Sequence, residues 1–380
     1  MAPRNGDTDS TIYVNGRVQR EVQSNRLALT LVVAALLVYG LSCAPTPPEG
    51  GSNQEVTQTS SAAVTTWKLQ ALTTPAMRYH DVVIRIAERV KEMSGGALLI
   101  EVYPTGAIVD AGEEFGGVDK NIIDACLAGH MNQLGQYPAA GLFYQIVGGM
   151  TAAQMHLWYL AGGGDELASR MYASSNCHYV NTPLLHPPEI WCHSAIPLRT
   201  VSDLEALRIR VAGDASEILA MMGAATVTFP AIDIYESVSR GIINAFEYGE
   251  PAINWGMGFH EIADYLYLSP SRAPTGGSGL FVGEESWSRV SPELRAMVKY
   301  AAMAETRHWY AEQLVLNDGA LQRYVEYGTQ VAPLPQAIEE EFLSTAESFY
   351  NSKAEGDPFF NEVLQSQRAF KELCEFQDVR

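Results

Sequence analysis

Apolar and polar positions recur along this chain with two different periods. In Trp67-Lys68-Leu69-Gln70-Ala71 they alternate, the period of a half-buried strand. Between 78 and 93, Val82, Ile86, Val90 and Met93 recur at three- and four-residue spacing, the period of an amphipathic helix, and Gly95-Gly96 supplies its stop. ALLIEVYP, at 97–104, predicts a second strand closed by Pro104, and GVDKNIIDACLAG, at 117–129, predicts another helix. Strand and helix alternating in this way argue for an α/β chain with a largely parallel sheet.

The same alternation continues through the middle of the chain. Residues 151–176 predict helix on either side of Gly162-Gly163-Gly164, and CHYVNTPLL and EIWCHSAI predict strands. VSDLEAL predicts a short helix capped by Ser202. RIRVAG, TVTFP and INAFEYG predict strands separated by the helices DASEILAMMGA and AIDIYESVSRG. A strand resumes at 276–282, after the loop SPSRAPTGG. From Ser286 the pattern is helical almost to the end, with one face too apolar to stand alone. This tail is expected to pack back over the rest of the fold or against a partner. No internal repeat of fixed period is present.

The N-terminal pattern is different. Residues 1–26 are polar and carry Arg17, Arg20 and Arg26; LALTLVVAALLVYGLS, at 27–42, has no charge. A basic region followed by an apolar run is an export address, and sixteen residues fall short of the roughly 20 needed to span a bilayer. Cys43 closes the run, and a Pro/Gly/Ser/Thr-rich stretch follows, as in a flexible linker. The arrangement resembles a bacterial lipoprotein, with residues 1–43 as signal, Cys43 as the acylated residue and 44–64 as tether. A lipobox has Leu three positions before its Cys, where this chain has Gly40. Anchoring by an uncleaved short helix, or ordinary cleavage, are the alternatives. All three place residues 65–380 outside the cytoplasm.

Length and charge narrow the class. A chain of 380 residues suggests two domains, and 47% apolar residues can build a sizeable core. Twenty-five Lys and Arg against 44 Asp and Glu give a net charge of −19, which disfavours nucleic acid as a partner. One buried Arg can still reverse the field locally and hold an anion. Five cysteines are too few for a disulfide scaffold. Cys177 and Cys192 fall on neighbouring predicted strands, so either a bridge or two buried thiols fits; Cys126 and Cys374 read as buried residues of helices. The chain has no G-x-S-x-G elbow, no Walker loop and no G-x-G-x-x-G opening a helix. HEIAD, from His260, has Asp264 where a zinc-protease helix needs its second His, and the eight His are scattered.

Arg210 is the central candidate. An Arg on an inner strand of an acidic protein needs a partner, either a ligand carboxylate that matches its fork or an internal Asp or Glu. Arg208 shares its parity on the strand, so parity alone does not separate the two. Glu247 and Tyr248 stand at the end of another predicted strand, where α/β folds place ligand groups.

The segment 204–268 resembles the extracytoplasmic solute-binding proteins of TRAP (tripartite ATP-independent periplasmic) transporters. The matching features run in order: Leu207-Arg208-Ile209-Arg210, a helix ending in Gly223-Ala224, TVTFP, a helix closing on Arg240-Gly241, and INAFEY. Residues 138–164 and the C-terminal DPFFNEVLQSQRAFKEL extend the resemblance over nearly all of the chain from Trp67, nearest to the 2-oxo-acid-binding subgroup. The resemblance implies a two-lobed fold like type II periplasmic binding proteins, with crossing strands and a helical C-terminal region. Lobe I is expected over about 65–180 plus 250–290, and lobe II over about 181–249 plus 291–380. It implies a non-enzymatic receptor that captures a small organic acid, a 2-oxo or 2-hydroxy monocarboxylate, and presents it to TRAP membrane subunits. It selects Arg210 as the residue that holds the carboxylate.

The same resemblance implies a Na or Ca ion bridging to the ligand through the acid at Glu247, beside an aromatic, here Tyr248. The polar residue about twenty positions before the Arg is matched by Glu189. The family's second acid, before a Gly pair, is replaced by Thr275, so the ligand set for a hard cation is incomplete. Trp191 and Tyr137 are the aromatic candidates for the pocket, with Trp255 behind them. The C-terminal helix suggests a homodimer. A sensory receptor of the same fold and a lipid-anchored enzyme are the alternatives of other classes; for the latter no acid–base or nucleophile pair is visible.

Overall fold

The computed structural model describes residues 64–75, 77–180 and 184–379, all within one unit, Ser61–Arg380. The expected signal segment, Cys43 and nearly all of the linker lie outside the described residues. Twelve strands, numbered in chain order, form two sheets among the described residues. The first sheet holds β1 (Thr65–Ala71), β2 (Leu98–Tyr103), β3 (Ala125–Gly129), β4 (Cys177–Tyr179) and β5 (Leu184–Leu185). The second holds β6 (Cys192–Ser194), β7 (Arg208–Arg210), β8 (Ala225–Val227), β9 (Ala245–Phe246) and β10 (Tyr265–Leu268). β11 (Gly277–Gly283) returns to the first sheet and β12 (Gln330–Pro333) to the second.

The strand order is β2-β1-β3-β11-β4 in the first sheet, with β5 also on β11, and β12-β10-β6-β9-β7-β8 in the second. β1 pairs parallel with β2 and β3, as strand–helix–strand units require, and β11 enters antiparallel to β3 and β4. The chain therefore passes between the sheets three times, directly at 186–191 and at 269–276 and once more through the helical stretch 284–329, which defines two lobes. The lobe boundary expected at 250 shifts accordingly. β10 pairs with β6 and β12, so lobe II extends to 268.

Most predicted elements form as the periodicity indicates. The helix Arg78–Met93 buries Val82, Val83, Ile86 and Val90 on one face. One segment differs: 125–129 is β3 and not the end of a helix. All five of its residues are buried, so Ala125-Cys126-Leu127-Ala128 is continuously apolar and lacks the alternation that marks a half-buried strand. Asn121, at φ 57°, breaks the preceding helix Glu114–Asp119. Cys126 is thus a strand residue. The turn 201–206 is capped by Thr200 and not Ser202. The Asp203 carboxylate accepts from the Thr200 and Arg199 N–H groups at 2.9 and 2.7 Å. Cys177 and Cys192 fall in different sheets as buried free thiols.

The helical tail covers both lobes, as its apolar face requires. The helix Pro292–Tyr327 reaches lobe I through Arg85–Glu312 at 3.0 Å and the Tyr79–Trp309 ring pair at 4.4 Å; its Tyr324 meets His193 of β6 at 5.5 Å. This differs from the assignment of 291–380 to lobe II alone. The helix Gln336–Gly356 pairs Lys353 with Asp214 of lobe II at 2.7 Å. In Pro358–Phe376, Ser366 accepts from the Trp158 indole at 3.0 Å and Gln367 donates to Leu142 O at 2.8 Å. No helix among the described residues is long and apolar enough to cross a membrane.

Candidate site at the lobe crossing

The site begins at a strand end. β7 lies between β9 and β8 in parallel register, so Arg210 stands beside Phe246 and Val227. Glu247 follows β9, and its N–H donates to Arg210 O at 3.0 Å. The two side chains share this corner. Arg210 Nη1 donates to Glu247 O and to Glu247 Oε1, both at 3.0 Å, and Nε donates to Phe229 O at 3.1 Å. Nη2 has no hydrogen-bond partner among the described residues. The tie with Arg208 is also resolved. Arg208 is exposed, and its guanidinium donates to Gly241 O and Ile242 O at the far end of the strand.

Arg272 joins this pair to the lobe crossing. Its side chain is 1% exposed. Nη1 lies 2.7 Å from Glu247 Oε2, Nη2 donates to Glu189 Oε2 at 2.6 Å, and Nε and Nη2 hold Ile190 O at 3.0 and 2.8 Å. Glu189 Oε1 accepts from Gln145 Nε2 at 2.6 Å, and Glu247 Oε1 also accepts from the Ala212 N–H at 2.8 Å. The result is a buried chain, Gln145–Glu189–Arg272–Glu247–Arg210, from lobe I through the crossing to lobe II. Backbone bonds brace the two crossing segments against each other. His186 N donates to Gly276 O at 3.1 Å and Glu189 N to Ala273 O at 3.2 Å. Thr275 Oγ1 adds a bond to His186 O at 2.8 Å.

Burial sets the electrostatics around this chain. It raises the Glu189 carboxyl above the ordinary range, against the pull of the Arg272 charge. Glu250, 1% exposed and also near Glu189, is pushed up to about 8. Its neighbour at 3.5 Å, His186, is pulled down to about 3 by burial, so this contact joins two neutral groups at pH 7. Burial, with Glu189 and Glu247 nearby, holds the Tyr144 phenol well above its usual value, and the Tyr248 hydroxyl is raised in the same way. A small cavity of about 20 Å³ opens between the lobes, lined by Tyr144, Gln145, Ala212, Gly213 and Arg272.

Glu189, Arg210, Glu247 and Tyr248 are therefore brought together, although 58 positions separate the first from the third. Thr275 lies on the crossing, with its hydroxyl committed to a carbonyl. Trp191 and Tyr137 lie elsewhere. Trp191 is a core residue against Phe342 at 5.6 Å, and Tyr137 packs among Phe115 and Tyr172 in lobe I. Trp255 stacks on His260 at 3.9 Å. The sequence reading missed Arg272, Gln145, Tyr144 and Glu250. A lone Arg in the otherwise uncharged loop SPSRAPTGG was the available signal for the first; the others carry no motif.

The residues at hand do not fit a bridging cation. All four oxygens of Glu189 and Glu247 are already engaged, two of them by Arg272. A metal ion within about 4 Å of that guanidinium would meet a repulsion on the order of 4 kcal/mol per unit charge at an effective dielectric of 20. Among the described residues no group of three or more His, Cys, Asp and Glu is arranged to hold a metal.

A buried, charge-paired corner between two α/β lobes, with Gln145 and Arg272 lining the gap, fits a ligand-capturing protein of two lobes. The pattern of bacterial extracellular solute-binding protein family 7, DctP, matches residues 72–357, and the chain belongs to that family. It is a solute-binding receptor of the TRAP type and not an enzyme. The chain is 24% identical over 289 residues to the monocarboxylate 2-oxoacid-binding periplasmic protein of Nostoc sp., covering 75% of this chain and 78% of that protein. Its fold is similar to a TRAP periplasmic solute-binding protein from Colwellia psychrerythraea, crystallised with calcium and pyruvate. That likeness has a TM-score of 0.78 and 24% identity, over 83% of this chain and 96% of the other. A protein from Pseudoalteromonas atlantica with bound sodium and pyruvate matches with TM-score 0.74 and 23% identity, over 83% and 96%.

Proposed function

We propose that this receptor captures a small 2-oxo or 2-hydroxy monocarboxylate between its lobes and delivers it to TRAP membrane subunits. The observation that carries the reading is the half-committed guanidinium of Arg210. Glu247 and Phe229 O hold Nε and Nη1 in place, and Nη2 is left to donate. A pre-oriented, charge-assisted donor is what a ligand carboxylate requires. Tyr144 and Gln145, which line the cavity, supply polar groups from the opposite lobe for the 2-oxygen. The names of the Nostoc relative and of the two pyruvate-bound neighbours support the same class.

A thermal-shift panel on the full chain tests this, using pyruvate, 2-oxobutyrate, 2-oxoisovalerate, lactate, succinate and sialic acid. Binding to the native state raises the midpoint by mass action. The expected result is a shift with one or more monocarboxylates that is lost in Arg210→Ala. No shift with any acid, or a shift with sialic acid alone, would overturn the assignment. Anchoring at Cys43 belongs to the same reading and is tested by mass spectrometry of the exported protein; the homodimer is tested by sedimentation equilibrium.

A further inference from the structure

We propose that Arg272 takes over the role of the bridging metal ion, so that this receptor captures its carboxylate without a cation. The inference deepens the carboxylate reading and rests on it for the ligand. The two pyruvate-bound neighbours hold calcium or sodium. In this chain two acids of the corner, Glu189 and Glu247, are joined by a side chain. The Arg272 guanidinium lies 2.6 Å from Glu189 Oε2 and 2.7 Å from Glu247 Oε2, bridging the carboxylates as a cation would. It sits in the 269–276 crossing, three residues before Thr275, the position at which the resemblance expects a metal-binding acid. One substitution removes an oxygen ligand there, and the neighbouring Arg brings a permanent positive charge.

Charge and coordination agree. Two guanidinium groups balance two carboxylates along Glu189–Arg272–Glu247–Arg210, so the corner has no excess negative charge to recruit an ion. Thr275 Oγ1 donates to His186 O, so its hydroxyl proton is committed to a carbonyl. A hard cation needs about six oxygen ligands, and the two acids that could begin the set are already taken. Arg272 also lines the interlobe cavity beside Tyr144 and Gln145, so its positive charge reaches the bound anion directly. An Arg is suited to this because its charge is permanent and its fork spans two carboxylates at once.

The test is calorimetry on the full chain, with two independent arms. In the first, pyruvate is titrated before and after chelator, and with sodium replaced by choline. The expected dissociation constant changes by less than about twofold. A loss of about tenfold or more that calcium or sodium restores would overturn the proposal. In the second arm calcium itself is titrated. The wild type takes up no stoichiometric calcium, whereas Arg272→Gln, which frees Glu189 and Glu247, gains uptake. Stoichiometric uptake by the wild type that Glu247→Gln abolishes would overturn the proposal, as would a cooperatively folded Arg272→Gln that binds no calcium. If no acid binds under any condition, the carboxylate reading fails, while the calcium arm still decides the role of Arg272.

Discussion

Replacing Arg272 by Met removes the charge and keeps most of the side-chain volume. The variant leaves Glu189 with Gln145 and Glu247 with Arg210, so Glu189 becomes a buried carboxylate without a cation. Two bonds to Ile190 O are lost as well. Removing one partner of a buried ion pair costs about 3–5 kcal/mol. For a unit of about 320 residues, an unfolding entropy of about 2.1 cal/mol/K per residue converts this to a fall of about 4–7 °C in midpoint. The assay is urea denaturation at pH 7.5 and pH 5. Arg272 is the main force drawing the Glu189 carboxyl down against burial, so its removal raises that carboxyl further. A raised carboxyl destabilises the native state above its unfolded value and ceases to do so once protonated. The deficit of Arg272→Met should therefore shrink as pH falls from 7.5 to 5. The triple variant Arg272→Met, Glu189→Gln, Glu247→Gln should recover most of the loss. A deficit that stays constant with pH and persists in the triple variant would refute the charge argument and leave packing and the Ile190 bonds as the cause.

Arg210→Ala should weaken monocarboxylate binding by about 1.5–3 kcal/mol, the range for a hydrogen bond to a charged group. By titration calorimetry that is about tenfold or more, and a loss below about threefold would remove Arg210 from the ligand contact. His130, 0% exposed and 2.7 Å from the Tyr172 hydroxyl, is pulled down to about 3 by burial. Its contribution is complete above the unfolded value of about 6.5 and is lost as pH falls toward 3, at up to about 1.4 kcal/mol per pH unit. His130→Asn should flatten the acid limb of a urea-stability profile by that amount, and parallel profiles would show another group to be responsible. At Gly277, on β11, a Cβ would stand 2.5 Å from Phe143 O. Gly277→Ala should lower stability by about 1–3 kcal/mol in thermal denaturation, and an unchanged midpoint would contradict the close approach.

The amino-acid pattern alone determined a good deal. The alternation of Trp67, Leu69 and Ala71 and the spacing of Val82, Ile86 and Val90 reflect which side chains face water, and that is settled within a few residues. The ordered motifs from Leu207 to Tyr248 placed Arg210 and Glu247 at the ends of neighbouring strands. β3 was not legible for a related reason. A strand buried on both faces has no polar face to write an alternation, and Ala125-Cys126-Leu127-Ala128 serves a helix interior equally well. Short strands such as β12 carry too few positions to show any period.

What only the tertiary structure decided is the second half of the site. Glu189 and Arg272 lie 83 positions apart, and nothing local to either marks them as partners. They meet because the chain leaves the first sheet at 186–191 and returns at 269–276, and those crossings pair with each other. Gln145 and Tyr144 come from a turn that lobe I presents to the same gap. A buried charge is tolerated only where an opposite charge reaches it, and that condition is met by the path of the backbone through two sheets. Residue type and spacing specified the strands and the first guanidinium, and the crossing of the lobes supplied the second.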